Sequence, residues 1–278
     1  MATNLGLISF RLACSRPAPY YLPMVTKRTI LLTNDDGYFA PGINSLYTAL
    51  AKKHRVFLVA PDREQSASSH SLTLNRPLRV HKISAQHYAT DGTPTDCVML
   101  AIHLLFKKEK PDMIISGINH GANMGDDVTY SGTVAAAIEG AILKIPSLAV
   151  SMAHWVPGMS MVRGAQFVSR LVSTYESFDL EPSTFLNVNL PPDHGRGYSR
   201  FEFTSQGFRT YRDIVVHKTD PRGKPYYWIG GRPRWRTAPG TDFAAVAKGY
   251  VSITPMKLDF TDLSSLERLR QHPPKSLR

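Results

Sequence analysis

The chain has 278 residues, of which 42% are hydrophobic and 20% are charged, and no apolar run approaches the ~18 residues of a membrane span. Its formal net charge is +11, and residues 191–278 hold 16 basic against 8 acidic residues. These features argue against a membrane protein and suit one large domain, or one domain with an appendage. The basic residues 191–278 form either an ordinary solvated surface or a region that attracts phosphates. No nucleic-acid-binding motif supports a specific nucleic acid partner.

The N-terminal segment and the cysteines bear on cellular location. Residues 1–26 resemble a targeting peptide in composition, but two arginines and two prolines interrupt the apolar stretch, which argues against a secretory signal. We expect a disordered or mis-annotated extension, with targeting as the alternative. The two cysteines, Cys14 and Cys97, form neither a disulfide framework nor a metal-binding spacing. A cytoplasmic location is therefore predicted.

Strand-like and helix-like segments alternate between residues 27 and 190. Short apolar runs predict strands at 28–33, 56–60, 113–116, 147–150 and 185–190. A helix is predicted from Pro41, with apolar residues at i, i+3, i+4 and i+7, and another behind the Thr93-Pro94 N-cap signal. Further apolar stripes predict helices around residues 134–141 and 168–175. This alternation predicts a Rossmann-like, doubly wound α/β core with a mostly parallel sheet over residues 27–190.

The pattern changes after Pro191. Residues 191–262 contain short aromatic and β-branched runs separated by Gly and Pro, which predict β-hairpins and extended arms and argue against further βα units. The run PYYWIGG suits either a core or an arm that packs on another subunit. We expect residues 191–262 to form a β-rich C-terminal hairpin or arm region, and residues 263–278 to form a basic tail.

Oxygen-rich clusters follow three of the predicted strands. Asn34, Asp35 and Asp36 follow the first strand, PDREQS follows the second, and SGINHGANMGDD contains the end of the third. Ligands bind beyond the carboxyl ends of the strands in such sheets, so these clusters are expected to meet. The N-D-D-G sequence also suits an ordinary turn. However, two adjacent carboxylates repel each other unless a cation lies between them, and oxygen ligands suit Mg²⁺, Mn²⁺ or Ca²⁺ better than zinc.

A helix that begins at Ser131-Gly132-Thr133 offers a second kind of binding site. Its small first residues expose backbone N–H groups, and a helix N-terminus attracts anions such as phosphate. The segment is not a Walker A loop, and no dinucleotide-binding glycine pattern follows the first strand. The combination therefore predicts a hard cation beside a phosphate site.

The chain resembles the SurE family of survival proteins, which act as metal-dependent 5′/3′-nucleotidases. The resemblance covers most of residues 29–260 in family order. It is most specific in the stretch SGINHGANMGDDVTYSGTVAAAIEG. The main stretches are ILLTNDDGYFAPGI, VAPDREQSASSHSLTL, SGINHGANMGDDVTYSGTVAAAIEG and GTDFAAVAKGYVSITP.

The resemblance implies specific roles for residues of this chain. One divalent cation per subunit, Mg²⁺ or Mn²⁺, would be held by Asp35, Asp36, Ser66 and Asn119. Phosphate contacts would come from Asn123, Ser131, Gly132 and Thr133. The substrate would be a nucleoside 5′-monophosphate, with 3′-monophosphates and short polyphosphate as extensions. The family also implies a homo-dimer or homo-tetramer, with the C-terminal β-hairpin or arm region of residues 191–262 used for oligomerisation.

The reaction mechanism has open alternatives at this level. A metal-positioned water would attack phosphorus in line, with Asp35 or Asp36 as base, or one of these acids would itself be the nucleophile. One rival function is an aspartate-nucleophile phosphatase of the haloacid dehalogenase-like kind, but those enzymes have D-x-D after the first strand. The other rival is a non-catalytic nucleotide or polyphosphate sensor with the same pocket. His70, His120 and His154 are expected to lie on the surface or behind the ligands.

Overall fold

The structure is a computed structural model that describes residues 27–193, 195, 197–212, 215–229, 232–236, 238–274 and 276. The predictions made for residues 1–26 lie outside this part of the chain. The strands are β1 (Thr29–Thr33), β2 (Arg55–Pro61), β3 (Val80–Lys82), β4 (His87–Thr90), β5 (Met113–His120), β6 (Ser147–Met152), β7 (Thr184–Leu190), β8 (Phe201–Phe203), β9 (Phe208–Arg212), β10 (Val215–Thr219), β11 (Pro225–Ile229), β12 (Arg232–Arg236) and β13 (Val251–Lys257).

The helices alternate with these strands in the first part of the chain. They are α1 (Pro41–Leu50), α2 (Pro94–Leu105), α3 (Gly132–Ile142), α4 (Val162–Thr174), α5 (Asp242–Ala247) and α6 (Leu263–Gln271). Short 3₁₀ helices lie at Gly125–Thr129 and Tyr175–Phe178. In the part of the chain that the structure describes, no helix is long and apolar enough to cross a bilayer.

A nine-stranded sheet forms the centre of the molecule, in the order β3-β4-β2-β1-β5-β6-β7-β13-β8. The six neighbouring strands β4, β2, β1, β5, β6 and β7 are mutually parallel. At the two ends of this set, β3 pairs antiparallel with β4 and β13 pairs antiparallel with β7. Helices α1 and α4 pack on one face and α2 and α3 on the other. The predicted doubly wound, mostly parallel α/β fold is therefore confirmed.

Local sequence signals explain several helix starts. Thr93 accepts a hydrogen bond from the Asp96 backbone at 3.1 Å while Asp96 accepts one from the Thr93 N–H at 2.9 Å, which completes the predicted capping box. Glycine also permits close packing under α1, since a Cβ on Gly42 would lie 2.0 Å from the Ile118 carbonyl oxygen. This contact brings α1 against the strand that carries Asn119.

The region after Pro191 is only partly as predicted. Two antiparallel hairpin pairs are present, β10 with β11 and β9 with β12. The expectation of hairpins and arms alone was wrong, because β8 and β13 join the central sheet and α5 precedes β13. The insertion of β13 beside β7 depends on long-range pairing, which no local pattern reveals. Strands β3 and β4 were also missed, since they are short and half-exposed.

Candidate active site

The turn after β1 separates the roles of three polar residues. Asn34 donates from Nδ2 to the Gly37 carbonyl at 2.9 Å, and Gly37 has a φ of 97°, which glycine tolerates at little cost. Asn34 and Gly37 therefore make the turn that the N-D-D-G sequence suggests. Asp35 and Asp36 take no part in that bond, and their carboxylates contact other loops.

Asp35 is bound to the N-terminus of α3. The Thr133 backbone N–H donates to Asp35 Oδ2 at 3.1 Å, and the Thr133 hydroxyl donates to Oδ1. The site is tight, because a Cβ on Gly132 would lie 2.9 Å from Asp35 Cβ. Burial raises the pKa of Asp35, the Thr133 hydrogen bonds oppose that shift, and the charge of Glu64 adds to it. Burial thus favours the protonated form of Asp35, whereas the hydrogen bonds from the start of α3 favour the ionised carboxylate.

Asp36 is bound to the residue that follows Asn119. The His120 backbone N–H donates to Asp36 Oδ2 at 3.2 Å, and His120 Nδ1 lies 3.2 Å from Oδ1. Burial, followed by the charge of Asp35, raises the pKa of Asp36 to about 7. Burial also lowers the pKa of His120, which favours the neutral imidazole. The hydrogen bond to Asp36 comes from the His120 backbone N–H, and Nδ1 of the ring lies close to the other carboxylate oxygen.

Ser66 lies on a loop that is attached to the same turn. The Gln65 N–H donates to the Asp35 carbonyl at 2.7 Å, and Ser66 Oγ donates to Glu64 Oε1 at 2.6 Å. The Ser66 hydroxyl hydrogen is therefore committed to Glu64, while the oxygen lone pairs stay open to a cation. The sequence reading missed Glu64, although its charge acts on both Asp35 and Asp36.

An irregularity in β5 brings Asn119 to this edge. The pairing register of β5 with β6 shifts between Ser116 and Asn119, and Gly117 within the shift has a φ of 132°. Such bulges re-aim side chains next to functional sites. Asn119 donates from Nδ2 to the Gly121 carbonyl at 3.0 Å, which leaves its amide oxygen for another ligand. The predicted end of this strand at Ser116 was too early, because the strand continues to His120.

The four predicted metal ligands therefore lie on two loops and in strand β5 just before its end at His120, at one edge of the sheet. Among the described residues, no three His, Cys, Asp or Glu side chains are placed to hold a metal ion. A cation at Asp35 and Asp36 would thus need neutral oxygens, which Ser66 and Asn119 provide. Two adjacent acids with raised pKa values are the groups that a divalent cation would stabilise in ionised form. The donor set fits a hard cation such as Mg²⁺ or Mn²⁺.

Asn123 is placed differently from the other predicted phosphate-binding residues. It is 6% exposed, and its side-chain Nδ2 donates to Ser151 Oγ at 2.8 Å. Its carbonyl accepts from Asn187 Nδ2 at 2.8 Å and from Asn189 Nδ2 at 2.9 Å. These bonds fix the loop between β5 and α3 on β6 and β7, and the sequence reading missed both partners on β7.

The remaining three predicted phosphate-binding residues form the start of α3. Ser131 is the N-cap, and its Oγ accepts from the Val134 N–H at 3.1 Å. Gly132 and Thr133 face Asp35, so the positive end of the helix dipole adjoins the two acids. The two other histidines considered in the sequence lie outside the predicted ligands, as expected. His70 Nε2 is 2.9 Å from Glu139 Oε2, and His154 is exposed.

Residues of the C-terminal region contact the loop that precedes α3. Asp242 accepts hydrogen bonds from the Gly125 N–H at 2.8 Å and the Gly207 N–H at 3.0 Å. Gln206 donates to the Gly125 carbonyl at 2.7 Å, and Arg209 forms an ion pair with Asp127. The loop before α3 is therefore fixed by residues some eighty positions or more further along the chain.

The fold and site define a doubly wound α/β protein with paired acids at the carboxyl edge of its parallel strands. Residues 30–213 match the family profile described as Survival protein SurE. A protein from Geotalea daltonii named 5′-nucleotidase SurE is 49% identical over 243 residues, which cover 87% of this chain and 98% of that protein. A protein of the same name from Nitrosococcus oceani is 48% identical over 241 residues, covering 86% and 95%.

A solved structure agrees with these sequence matches. The crystal structure of SurE protein from Aquifex aeolicus superposes with a TM-score of 0.78 at 42% identity, covering 87% of this chain and 98% of that one. The chain belongs to the SurE family.

Proposed function

We propose that the protein is a metal-dependent 5′-nucleotidase, which hydrolyses nucleoside 5′-monophosphates to nucleoside and phosphate. Relatives that carry this activity in their names are about half identical and match nearly their whole length. The observation that carries the proposal is the placement of Asp35 and Asp36 beside the N-terminus of α3. This placement supports a cation site next to an anion site, as a phosphate ester in complex with a divalent metal would require.

Asp35, Asp36, Ser66 and Asn119 would hold one Mg²⁺ or Mn²⁺ per subunit. When bound, the cation would supply polarisation of a phosphoryl oxygen and neutralise the charge of the two acids. The chain's own N–H groups at Ser131 and Gly132 would orient the phosphate. Thr133, whose N–H and hydroxyl donate to Asp35, would contact the phosphate only by sharing these donors. Asn123 would contribute by fixing the loop that precedes them, and direct contact with phosphate is the alternative role.

Water is the nucleophile that the side-chain contacts favour. Both Asp35 oxygens accept hydrogen bonds from Thr133, so attack by Asp35 on phosphorus would require it to give up one of these partners. We therefore infer in-line attack by water instead of an aspartyl-phosphate at Asp35. Asp36, whose oxygens both contact His120, is the second acid and would accept the water's proton.

Substrate range and assembly extend this proposal. The basic character of residues 191–278 supports acceptance of short polyphosphate, and the family resemblance extends the proposal to 3′-monophosphates. Hairpin β10–β11 exposes Tyr227, Trp228 and Ile229 by 62%, 64% and 85%, which supports its burial by another subunit in a homo-dimer or homo-tetramer. The buried free thiol of Cys97 supports a cytoplasmic location.

Replacement of Asp35 tests the proposed activity. Asp35→Asn keeps the volume and lets the amide oxygen accept from the Thr133 N–H, so the fold should persist. We expect kcat/KM for a nucleoside 5′-monophosphate to fall by more than about 100-fold, measured as phosphate release. The matched control is Asp62→Asn, which removes an acid paired with Arg63 on the next loop. Full activity of Asp35→Asn would overturn the assignment, and a wild-type protein that binds nucleotide without turnover would favour the sensor function.

A further inference from the structure

An aromatic stack lies behind the Asp36 carboxylate. The rings of His120 and Trp155 are 3.9 Å apart and 8° from parallel. His120 contacts both oxygens of Asp36, one through its backbone N–H at 3.2 Å and one through Nδ1 at 3.2 Å. His120 thus contacts both carboxylate oxygens of Asp36. The contact through Nδ1 depends on the orientation of the imidazole ring.

Trp155 is the residue that fixes the His120 ring. Trp155 follows the end of β6, the strand next to the one that carries His120. The far nitrogens of the two rings, His120 Nε2 and Trp155 Nε1, are buried and have no hydrogen-bond partner among the described residues. No side chain among the described residues therefore orients the rings through those two atoms. Their stacking, together with the contact of Nδ1 with Asp36, is what holds His120 in place.

We infer that Trp155 and His120 are positioning residues that hold the Asp36 carboxylate in the orientation needed to bind a divalent cation. This inference rests on the metal site of the proposed function and adds two residues to it. Groups that bind behind a metal ligand fix its orientation, and their loss typically lowers metal affinity by about 10–100-fold. Neither residue need touch the cation or the substrate.

A Mn²⁺ titration of the metal-free protein tests the inference without substrate. Free Mn²⁺ is measured by electron paramagnetic resonance for the wild type, Trp155→Ala and Trp155→Phe. We expect Trp155→Ala to bind Mn²⁺ about tenfold more weakly, and Trp155→Phe, which keeps an aromatic ring over His120, to stay within about threefold of the wild type. His154→Ala is the matched control, since it removes an exposed neighbour, and its affinity should equal that of the wild type.

A second variant separates positioning from folding. His120→Phe keeps a ring against Trp155 but removes Nδ1, and it should lose Mn²⁺ affinity to a similar extent. Phosphate release by both variants should recover as Mn²⁺ is raised, which a general structural defect would not allow. Wild-type Mn²⁺ affinity in both Trp155→Ala and His120→Phe would overturn the positioning role alone. Absence of Mn²⁺ binding by the wild type would overturn the metal site and this inference together.

Discussion

At the scale of single residues, the two neighbouring acids after β1 differ because their partners differ. Asp35 is 4% exposed and receives two hydrogen bonds from Thr133 at the positive end of α3. Asp36 receives a hydrogen bond from the His120 backbone N–H, and burial together with the charge of Asp35 raises the pKa of Asp36 to about 7. Asp36 is thus the acid whose charge state in the metal-free protein depends on pH near neutrality.

The raised pKa of Asp36 predicts how metal-free stability depends on pH. An unfolded aspartate titrates near 3.8, whereas folded Asp36 titrates near 7, so the folded state holds a proton that the unfolded state releases between these values. This contribution to stability is full below pH 3.8 and is lost as pH rises through about 7. We expect the Tm of the chelated protein to fall over that range by calorimetry, relative to Asp36→Asn.

Added Mn²⁺ provides the control for that prediction. Cation binding requires the ionised carboxylate, so it should be tighter at pH 8 than at pH 6 and should restore Tm at the higher pH. Identical pH profiles for the wild type and Asp36→Asn in the absence of metal would contradict the raised pKa.

At the scale of elements, the site depends on contacts between distant segments. The first residue of the 3₁₀ helix Gly125–Thr129, which precedes α3, is bonded to Asp242 at the beginning of α5. Asp242 is 1% exposed and accepts three backbone N–H bonds, from Gly125, Gly207 and Phe243. The short helix α5 therefore acts as a clamp on the loop that leads to the phosphate-binding positions.

Replacement of Asp242 tests this clamp. In Asp242→Asn, a buried amide NH₂ would face a backbone N–H donor, so one hydrogen bond is lost and a donor is left unsatisfied. We expect the free energy of unfolding to fall by about 2–3 kcal/mol, measured by denaturant titration. Asp259→Asn, which alters an exposed acid bonded to the Thr261 N–H, should change it by less than about 0.5 kcal/mol. Equal stability of the two variants would rule out the clamp.

The elements that could be read from the sequence are those with local signals. The capping box of Thr93 and Asp96, the apolar stripe of α1 and the buried strands β1 and β2 all depend on residues close together in the chain. The placement of β13 beside β7 does not, because it joins segments more than sixty residues apart.

The candidate site shows the same division. Resemblance located Asp35, Asp36, Ser66 and Asn119, whose roles stay predictions, and the structure places them at one edge. The amide network of Asn123 with Asn187 and Asn189, and the stack of Trp155 on His120, join residues between 35 and 66 positions apart. No local signal in the sequence marks such pairs, because each partner alone is an ordinary strand or loop residue.

At the scale of the whole molecule, the sheet accounts for the buried core and the β10–β11 hairpin stands apart from it. All ten residues of β10 and β11 are exposed, although they include Val, Tyr, Trp and Ile. A two-stranded hairpin is marginally stable by itself in water. Burial against another copy of the chain would both stabilise the hairpin and cover its aromatic surface.

A charge placed on this hairpin tests the proposed assembly. Trp228→Asp puts a carboxylate on the exposed surface of β11, which would be desolvated in a subunit interface. We expect light scattering after gel filtration to show a shift from a dimer or tetramer towards the monomer. Leu104→Asp, on the exposed side of α2, should leave the mass unchanged. An unaltered oligomer in Trp228→Asp would exclude the hairpin from the interface.

The proposed activity combines this edge of the sheet with a divalent cation to hydrolyse nucleotides. The most direct measurement is phosphate release from 5′- and 3′-nucleoside monophosphates after chelation and after Mg²⁺ or Mn²⁺ is added back. We predict that activity disappears with the chelator, returns with the metal and is greatest with 5′-monophosphates. Turnover that persists in the chelated protein, or no turnover with any added metal, would contradict the proposed metal-dependent activity.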